Sequence, residues 1–149
     1  MTAQTFTWIF LLALAAATAT RLWLARRQVR HVRAHRDRVP EKFAAMVPLA
    51  AHQKAADYSV AKAPLGILDI LIGAAALLAL TLGGALDWIA LQCSRVLEPG
   101  GTAHGVALVA SVVLLLSALD LPLAVYRTFV IEARFGFNRM TPALFVADL

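Results

Sequence analysis

The sequence predicts an all-α membrane protein with three transmembrane helices, a cytoplasmic helical segment and the start of a fourth helix. Hydrophobic residues make up 60% and charged residues 15% of the 149 positions, whereas soluble domains are about 45–50% apolar and about 25% charged. The apolar residues form three long runs, and most basic residues lie between or after them. Lipid-embedded helices show this distribution. We therefore expect a single transmembrane domain over residues 1–149.

The first predicted span covers residues 3–24. Residues 2–20 carry no charge, and Arg21, Arg26 and Arg27 follow them. A cleaved signal peptide has its basic residues before a short apolar core, so the observed order favours a retained helix. Because basic flanks stay in the cytoplasm, the N-terminus is expected on the opposite side of the membrane.

A polar cytoplasmic segment is predicted over residues 25–63. Ten of the 14 Lys and Arg residues lie between Arg21 and Lys62. The segment should continue the first helix and then break at Val39-Pro40 and again at Pro48, because proline restricts its predecessor and suits a first helical position. Its charge would orient the helices and attract anionic lipid headgroups. No nucleic-acid recognition fold accompanies the charge, so we do not expect nucleic acid as a partner.

The second and third spans are predicted over residues 65–91 and 105–126. Asp69 and Asp87 lie near the ends of the second run, and the uncharged residues 70–86 between them would cover about 26 Å at about 1.5 Å per residue. That length is at the low end of a bilayer core. Basic residues follow the third run, which places the C-terminus in the cytoplasm.

Asp120 interrupts the third apolar run. A carboxylate at the centre of a membrane helix costs about 2.5–3.5 kcal/mol on insertion scales, so such residues face a polar partner or water. Two interpretations remain open from the sequence: a polar contact within the membrane, or a position at the interface. One carboxylate without a partner or a metal does not suffice for acid–base catalysis.

No catalytic residue, cofactor site or metal site is predicted in this chain. Cys93 is the only cysteine, which excludes an internal disulfide and a cysteine metal cluster. His31 and His35 have the spacing of zinc-binding histidines, but Val32 occupies the place of the glutamate that a zinc protease helix requires. Arginines also surround the pair, and their charge opposes a dication.

The last stretch predicts the beginning of another helix. Thr141 suits an N-cap and Pro142 a first helical position. The sequence stops at Leu149, about two turns later. We interpret this as a sign that the sequence is a fragment.

A block that begins at the end of the third span carries a family resemblance. Residues 122–141 read PLAVYRTFVIEARFGFNRMT, and Asp148 follows. The block resembles a hallmark of type I CAAX prenyl proteases, integral membrane zinc metalloendopeptidases of the gluzincin kind. Upstream residues fall in the order of that family's first cytoplasmic segment: Val39-Pro40, Lys54, Tyr58 and Lys62. The hallmark residues are Tyr126, Phe129, Glu132, Gly136, Phe137, Asn138 and Thr141.

The resemblance implies a multi-helix protease that encloses a large chamber and binds zinc near the cytoplasmic side. Its zinc helix carries HExxH, which this sequence does not contain. We therefore expect the non-catalytic N-terminal transmembrane part of such an enzyme, inactive alone. The alanine- and leucine-rich spans favour a bacterial inner membrane. The chain's expected partners are the bilayer, a downstream catalytic half that holds the zinc, and membrane-associated protein or peptide substrates. The alternative is a free-standing three-helix membrane scaffold or regulator.

Overall fold

The computed structural model describes residues 2–148, and these residues contain no strand and are 80% helical. Helix α1 runs over Ala3–Ala34, α2 over Leu49–Thr81, α3 over Ala85–Ser94, α4 over Thr102–Tyr126 and α5 over Pro142–Ala147. The predicted all-α membrane class is confirmed.

Three helical stretches are long and apolar enough to cross a membrane: Ala3–Ala34, Leu49–Thr81 and Thr102–Glu132. Within the most apolar 18 residues of each stretch, none is buried inside the protein in the first two stretches, and only 6% are buried in the third. Helices that expose apolar faces all around require lipid rather than water as their solvent. The chain is therefore a multi-pass membrane protein.

Helices α1 and α2 pack against each other in opposite directions, and charged residues fasten the connection between them. The Arg36 guanidinium donates to both carboxylate oxygens of Asp57, at 2.7 and 2.8 Å. These hydrogen bonds raise the pKa of Arg36 and lower the pKa of Asp57, which precedes the apolar part of α2. The predicted interruptions lie in this connection, where a short 3₁₀ turn follows Pro40 and α2 begins directly after Pro48.

The continuous helix predicted over residues 65–91 is divided in the structure. Helix α2 ends at Thr81, and Gly84 caps α3 with φ +73°, in the left-handed region. Glycine adopts that conformation without the penalty that a Cβ would bring. Because α3 has ten residues and is about 15 Å long, the second span is formed by α2 alone.

Helix α3 packs against α4 at the end of the molecule opposite the α1–α2 connection. There Ser94 Oγ lies 3.0 Å from His104 Nε2, and its hydroxyl also donates to the Ala90 carbonyl at 2.8 Å. Helix α4 continues beyond Tyr126 as a π-helical turn over Arg127–Glu132.

Candidate functional site

The candidate site begins at the π-helical turn Arg127–Glu132 that follows α4. In a π-helical turn each carbonyl bonds to the amide five residues later, so the side chains point elsewhere than in a regular α-helix. Such turns are rare and are found frequently at functional sites. Here the turn lies within the hallmark block, and Glu132 is its last residue.

The helical stretch ends in a Schellman motif centred on Gly136. The Gly136 amide donates to the Ala133 carbonyl at 3.0 Å, and the Phe137 amide donates to the Glu132 carbonyl at 2.8 Å. Gly136 has φ +67°, the left-handed conformation that this motif requires and that glycine adopts most readily. The Gly-Phe pair of the block is thus explained by the geometry of the helix end.

Tyr58 on α2 is the centre of the site. Its hydroxyl donates to a Glu132 carboxylate oxygen at 3.3 Å. Its ring packs edge-on against Phe135, with centroids 5.6 Å apart, and against Phe137 at 5.0 Å. Burial and the neighbouring carboxylate raise the pKa of Tyr58, so the phenol remains protonated and available as a donor. The polar N-terminal half of α2 is thereby joined to the end of the third span.

Two lysines lie on the same face of α2 as Tyr58. Lys54 Nζ is 4.9 Å from the centroid of the Phe137 ring, and Lys62 Nζ is 5.7 Å from the centroid of the Tyr58 ring. A spacing of four residues places side chains on one face of a helix. Cations above aromatic rings are attracted by the ring quadrupole. We call Lys54, Tyr58, Lys62, Glu132 and Phe137 the tyrosine cluster.

Asn138 and Thr141 of the hallmark block shape the backbone after the cluster. The side-chain oxygen of Asn138 accepts from the Met140 amide at 2.7 Å, which forms a local turn. Thr141 caps α5 by accepting from the Leu144 amide at 3.2 Å, as its position before proline predicts. The helix predicted at the end of the sequence therefore does begin at Pro142, as α5.

Phe129 contacts α5. Its ring packs edge-on against the Phe145 ring, with centroids 5.3 Å apart. This pair connects the π-helical turn to the short helix that follows, so both sides of the Gly136 turn are held by aromatic contacts.

Two predicted site residues lie apart from the tyrosine cluster. Tyr126 is 49% exposed, and Asp120 is exposed as well. No side chain among residues 2–148 forms a hydrogen bond or ion pair with Asp120. Its predicted polar contact therefore remains a prediction, one that requires a group from another molecule or from further chain.

Sequence reasoning placed Lys54, Tyr58 and Lys62 in a family order but did not include them among the site residues. The sequence pattern that could have indicated them is their spacing of four residues on a polar helix. The Arg127 side chain was also missed: its Nε atom is buried without a hydrogen-bond partner among residues 2–148. That nitrogen lies at the start of the π-helical turn, and no residue pattern indicated its burial.

The histidine pair on α1 has contacts that do not involve a metal. The rings of His31 and His35 are tilted by 34° with centroids 4.2 Å apart, and His35 Nδ1 donates to the His31 carbonyl at 2.9 Å. No group of three or more metal-ligating side chains occurs within the described residues 2–148.

Comparisons with known proteins identify a family for this chain. A family model described as "CAAX prenyl protease N-terminal, five membrane helices" matches residues 28–149. A probable CAAX prenyl protease 1 from Schizosaccharomyces pombe is 30% identical over 140 residues, which cover 86% of this chain and 29% of that protein. A CAAX prenyl protease 1 homolog from Oryza sativa subsp. japonica is 46% identical over 46 residues, which are 31% of this chain and 11% of that protein.

The match thus spans less than a third of the length of either relative. No solved structure matches this chain. The matched residues 28–149 include the whole tyrosine cluster, the second and third spans and α5. The chain therefore belongs to the family of CAAX prenyl protease N-terminal membrane domains.

Proposed function

We propose that this chain forms part of the substrate chamber wall of a membrane-embedded zinc metalloendopeptidase, and that it contributes no catalytic residue itself. The observation that carries the proposal is the tyrosine cluster. It joins α2 to the end of α4 at their polar ends, while the apolar lengths of both helices remain unburied. A wall requires this combination of a fixed end and a face open to other helices.

The proposed catalytic chemistry belongs to residues outside this sequence. A zinc protease of this kind needs two histidines one helical turn apart, with a glutamate between them as general base. The sequence contains no HExxH. The catalytic half of the same protease is therefore the proposed partner, and it would hold the zinc ion that activates the attacking water.

The proposed substrates are membrane-associated proteins or peptides, including those with a prenylated C-terminus. The relatives are named CAAX prenyl proteases. A substrate anchored by an isoprenoid approaches from the membrane, and the exposed apolar faces of α2 and α4 are compatible with that approach.

Hydrolysis of a farnesylated CAAX peptide tests this proposal. Membranes with residues 1–149 alone should show no zinc-dependent cleavage, because the chain lacks the general base. Membranes with the complete product of the reading frame should cleave the peptide and lose activity with a zinc chelator. Replacement of the downstream HExxH glutamate by glutamine is the matched control and should abolish cleavage.

A benzophenone attached to the same peptide tests whether α2 and α4 form part of the substrate chamber wall. Photolysis of the complete product should label residues of α2 or α4. Zinc-dependent cleavage by residues 1–149 alone, a reading frame without HExxH, or labelling confined to residues beyond 149 would each contradict the proposal. A missing HExxH would favour the three-helix scaffold instead.

We also propose the inner membrane of a bacterium as the location, with the N-terminus outside and the C-terminus in the cytoplasm. The basic residues follow the first and third spans, and basic flanks stay cytoplasmic. Single cysteines introduced as Arg30→Cys and Arg134→Cys in a Cys93→Ser background should react with a membrane-impermeant maleimide from the same face of a vesicle. Labelling from opposite faces would overturn this topology.

A further inference from the structure

A groove of about 770 Å³ lies between α1 and α2 where the apolar parts of both helices end. Its floor is apolar and includes Leu22 and Trp23 on α1 and Ile67 on α2. The α1 side chains in the groove follow a helical spacing of three and four residues, so they occupy one continuous face of the helix.

Three arginines line the same groove: Arg26, Arg30 and Arg33. None of them takes part in an ion pair or side-chain hydrogen bond among residues 2–148, where the ion pairs found involve only Arg36 and Arg38. The first acidic residue of the sequence is Asp37. The groove therefore combines an apolar floor with a positive charge that nothing in the described chain neutralises.

The groove lies at the level of a membrane interface. The uncharged first run ends before Arg21, and α2 becomes apolar after Lys62. Arg33 lies seven positions after Arg26, or about 10 Å along the helix, which suffices to cross a headgroup layer of about 5–7 Å. Trp23 is 53% exposed, and the Arg27 guanidinium lies 5.3 Å from its ring centroid. Tryptophans at this depth are typical of the interface.

We propose that this groove binds an anionic phospholipid. The phosphate is held by Arg26, Arg30 and Arg33, and an acyl chain lies against Leu22, Trp23 and Ile67. Guanidinium groups match phosphate oxygens in geometry and charge. The apolar floor selects a lipid over a free phosphate ion, because only a lipid covers the floor as well as the arginines.

Quenching of Trp23 fluorescence by brominated lipids tests the proposal. The full chain carries Trp8→Phe and Trp88→Phe, so that Trp23 is the only tryptophan, and is placed in nanodiscs of phosphatidylglycerol and phosphatidylcholine. At equal mole fraction, brominated phosphatidylglycerol should quench Trp23 with about a hundredfold higher apparent affinity than brominated phosphatidylcholine, since each of the three arginines contributes about fivefold.

Charge variants separate the groove from general surface attraction. In the triple variant Arg26→Gln/Arg30→Gln/Arg33→Gln, the apparent affinities for the two brominated lipids should become about equal. The control Arg21→Gln/Arg38→Gln/Lys42→Gln removes the same amount of charge outside the groove. Its lipid preference should stay within about twofold of the preference measured for the chain that keeps all its basic residues. If both variants lose the preference equally, or the unmutated chain has none, the groove site is refuted.

Two further measurements test the lipid site even if the triple arginine variant misfolds. Ile67→Phe alters the floor without changing any charge and should reduce quenching by brominated phosphatidylglycerol; an unchanged preference would refute the role of the floor. Inorganic phosphate in large excess should not relieve the quenching. Relief by phosphate would show a free-anion site and overturn the lipid assignment.

Discussion

Replacing Tyr58 by alanine is expected to lower the free energy of unfolding by about 2–4 kcal/mol, because three contacts are lost together. Each edge-on aromatic pair, with Phe135 and with Phe137, contributes about 0.5–1.5 kcal/mol beyond its buried area. The hydrogen bond to Glu132 is 3.3 Å long, so it belongs at the low end of the range of about 1.5–3 kcal/mol for a charged acceptor. Titration with SDS in bicelles, followed by circular dichroism, measures the loss.

Two control variants divide this effect into its parts. Tyr58→Phe keeps both ring contacts and removes only the hydroxyl, so it should cost about 1.5 kcal/mol. Tyr126→Ala removes a tyrosine that is 49% exposed and should change the free energy by less than about 0.5 kcal/mol. An equal loss for Tyr58→Ala and Tyr126→Ala would show that Tyr58 does not hold the two helices together.

The helices and their membrane setting could be predicted because they depend on local composition. The uncharged run over residues 2–20 and the arginines that follow it determine both the first span and its proposed orientation. The cap at Thr141 was likewise predictable, because its hydrogen bond to the Leu144 amide spans three residues. Interactions within one or two helical turns leave a pattern in the sequence.

The contact between Tyr58 and Glu132 left no such pattern, because 74 positions separate the two residues. Helical periodicity indicates that Lys54, Tyr58 and Lys62 share a face, but it does not indicate what that face meets. The family resemblance identified the block from Tyr126 to Thr141 without giving a physical reason for its residues. The structure supplies that reason for Gly136, whose φ of +67° permits the Schellman motif.

The division of the second apolar run illustrates a different limit. Hydrophobicity continues from Leu65 to Leu91, and a bilayer-length run of this kind reads as one helix. Glycines within such a run, here Gly83 and Gly84, commonly provide close contacts between membrane helices. The same two residues end α2 instead, because Gly84 adopts φ +73°. Glycine permits both outcomes, so the residue type alone does not decide between them.

Gly83→Ala is the second substitution with a large expected effect. A Cβ on Gly83 would lie 2.7 Å from the Ala79 carbonyl oxygen and 2.9 Å from the Ala79 Cα. Both neighbours are backbone atoms, so the end of α2 has to shift to make room. We expect a loss of about 1–3 kcal/mol in the free energy of unfolding, as for other overpacked positions. The same SDS titration measures it.

Gly73→Ala is the matched control, because it makes the same chemical change within the same helix. A Cβ on Gly73 would meet no atom within 4 Å, and alanine is favoured over glycine inside a helix by about 0.5–1 kcal/mol. The two substitutions should therefore change stability in opposite directions. If Gly83→Ala stabilises the chain as Gly73→Ala does, then α2 does not end where the structure places its end, and the apolar run from 65 to 91 forms one continuous span after all.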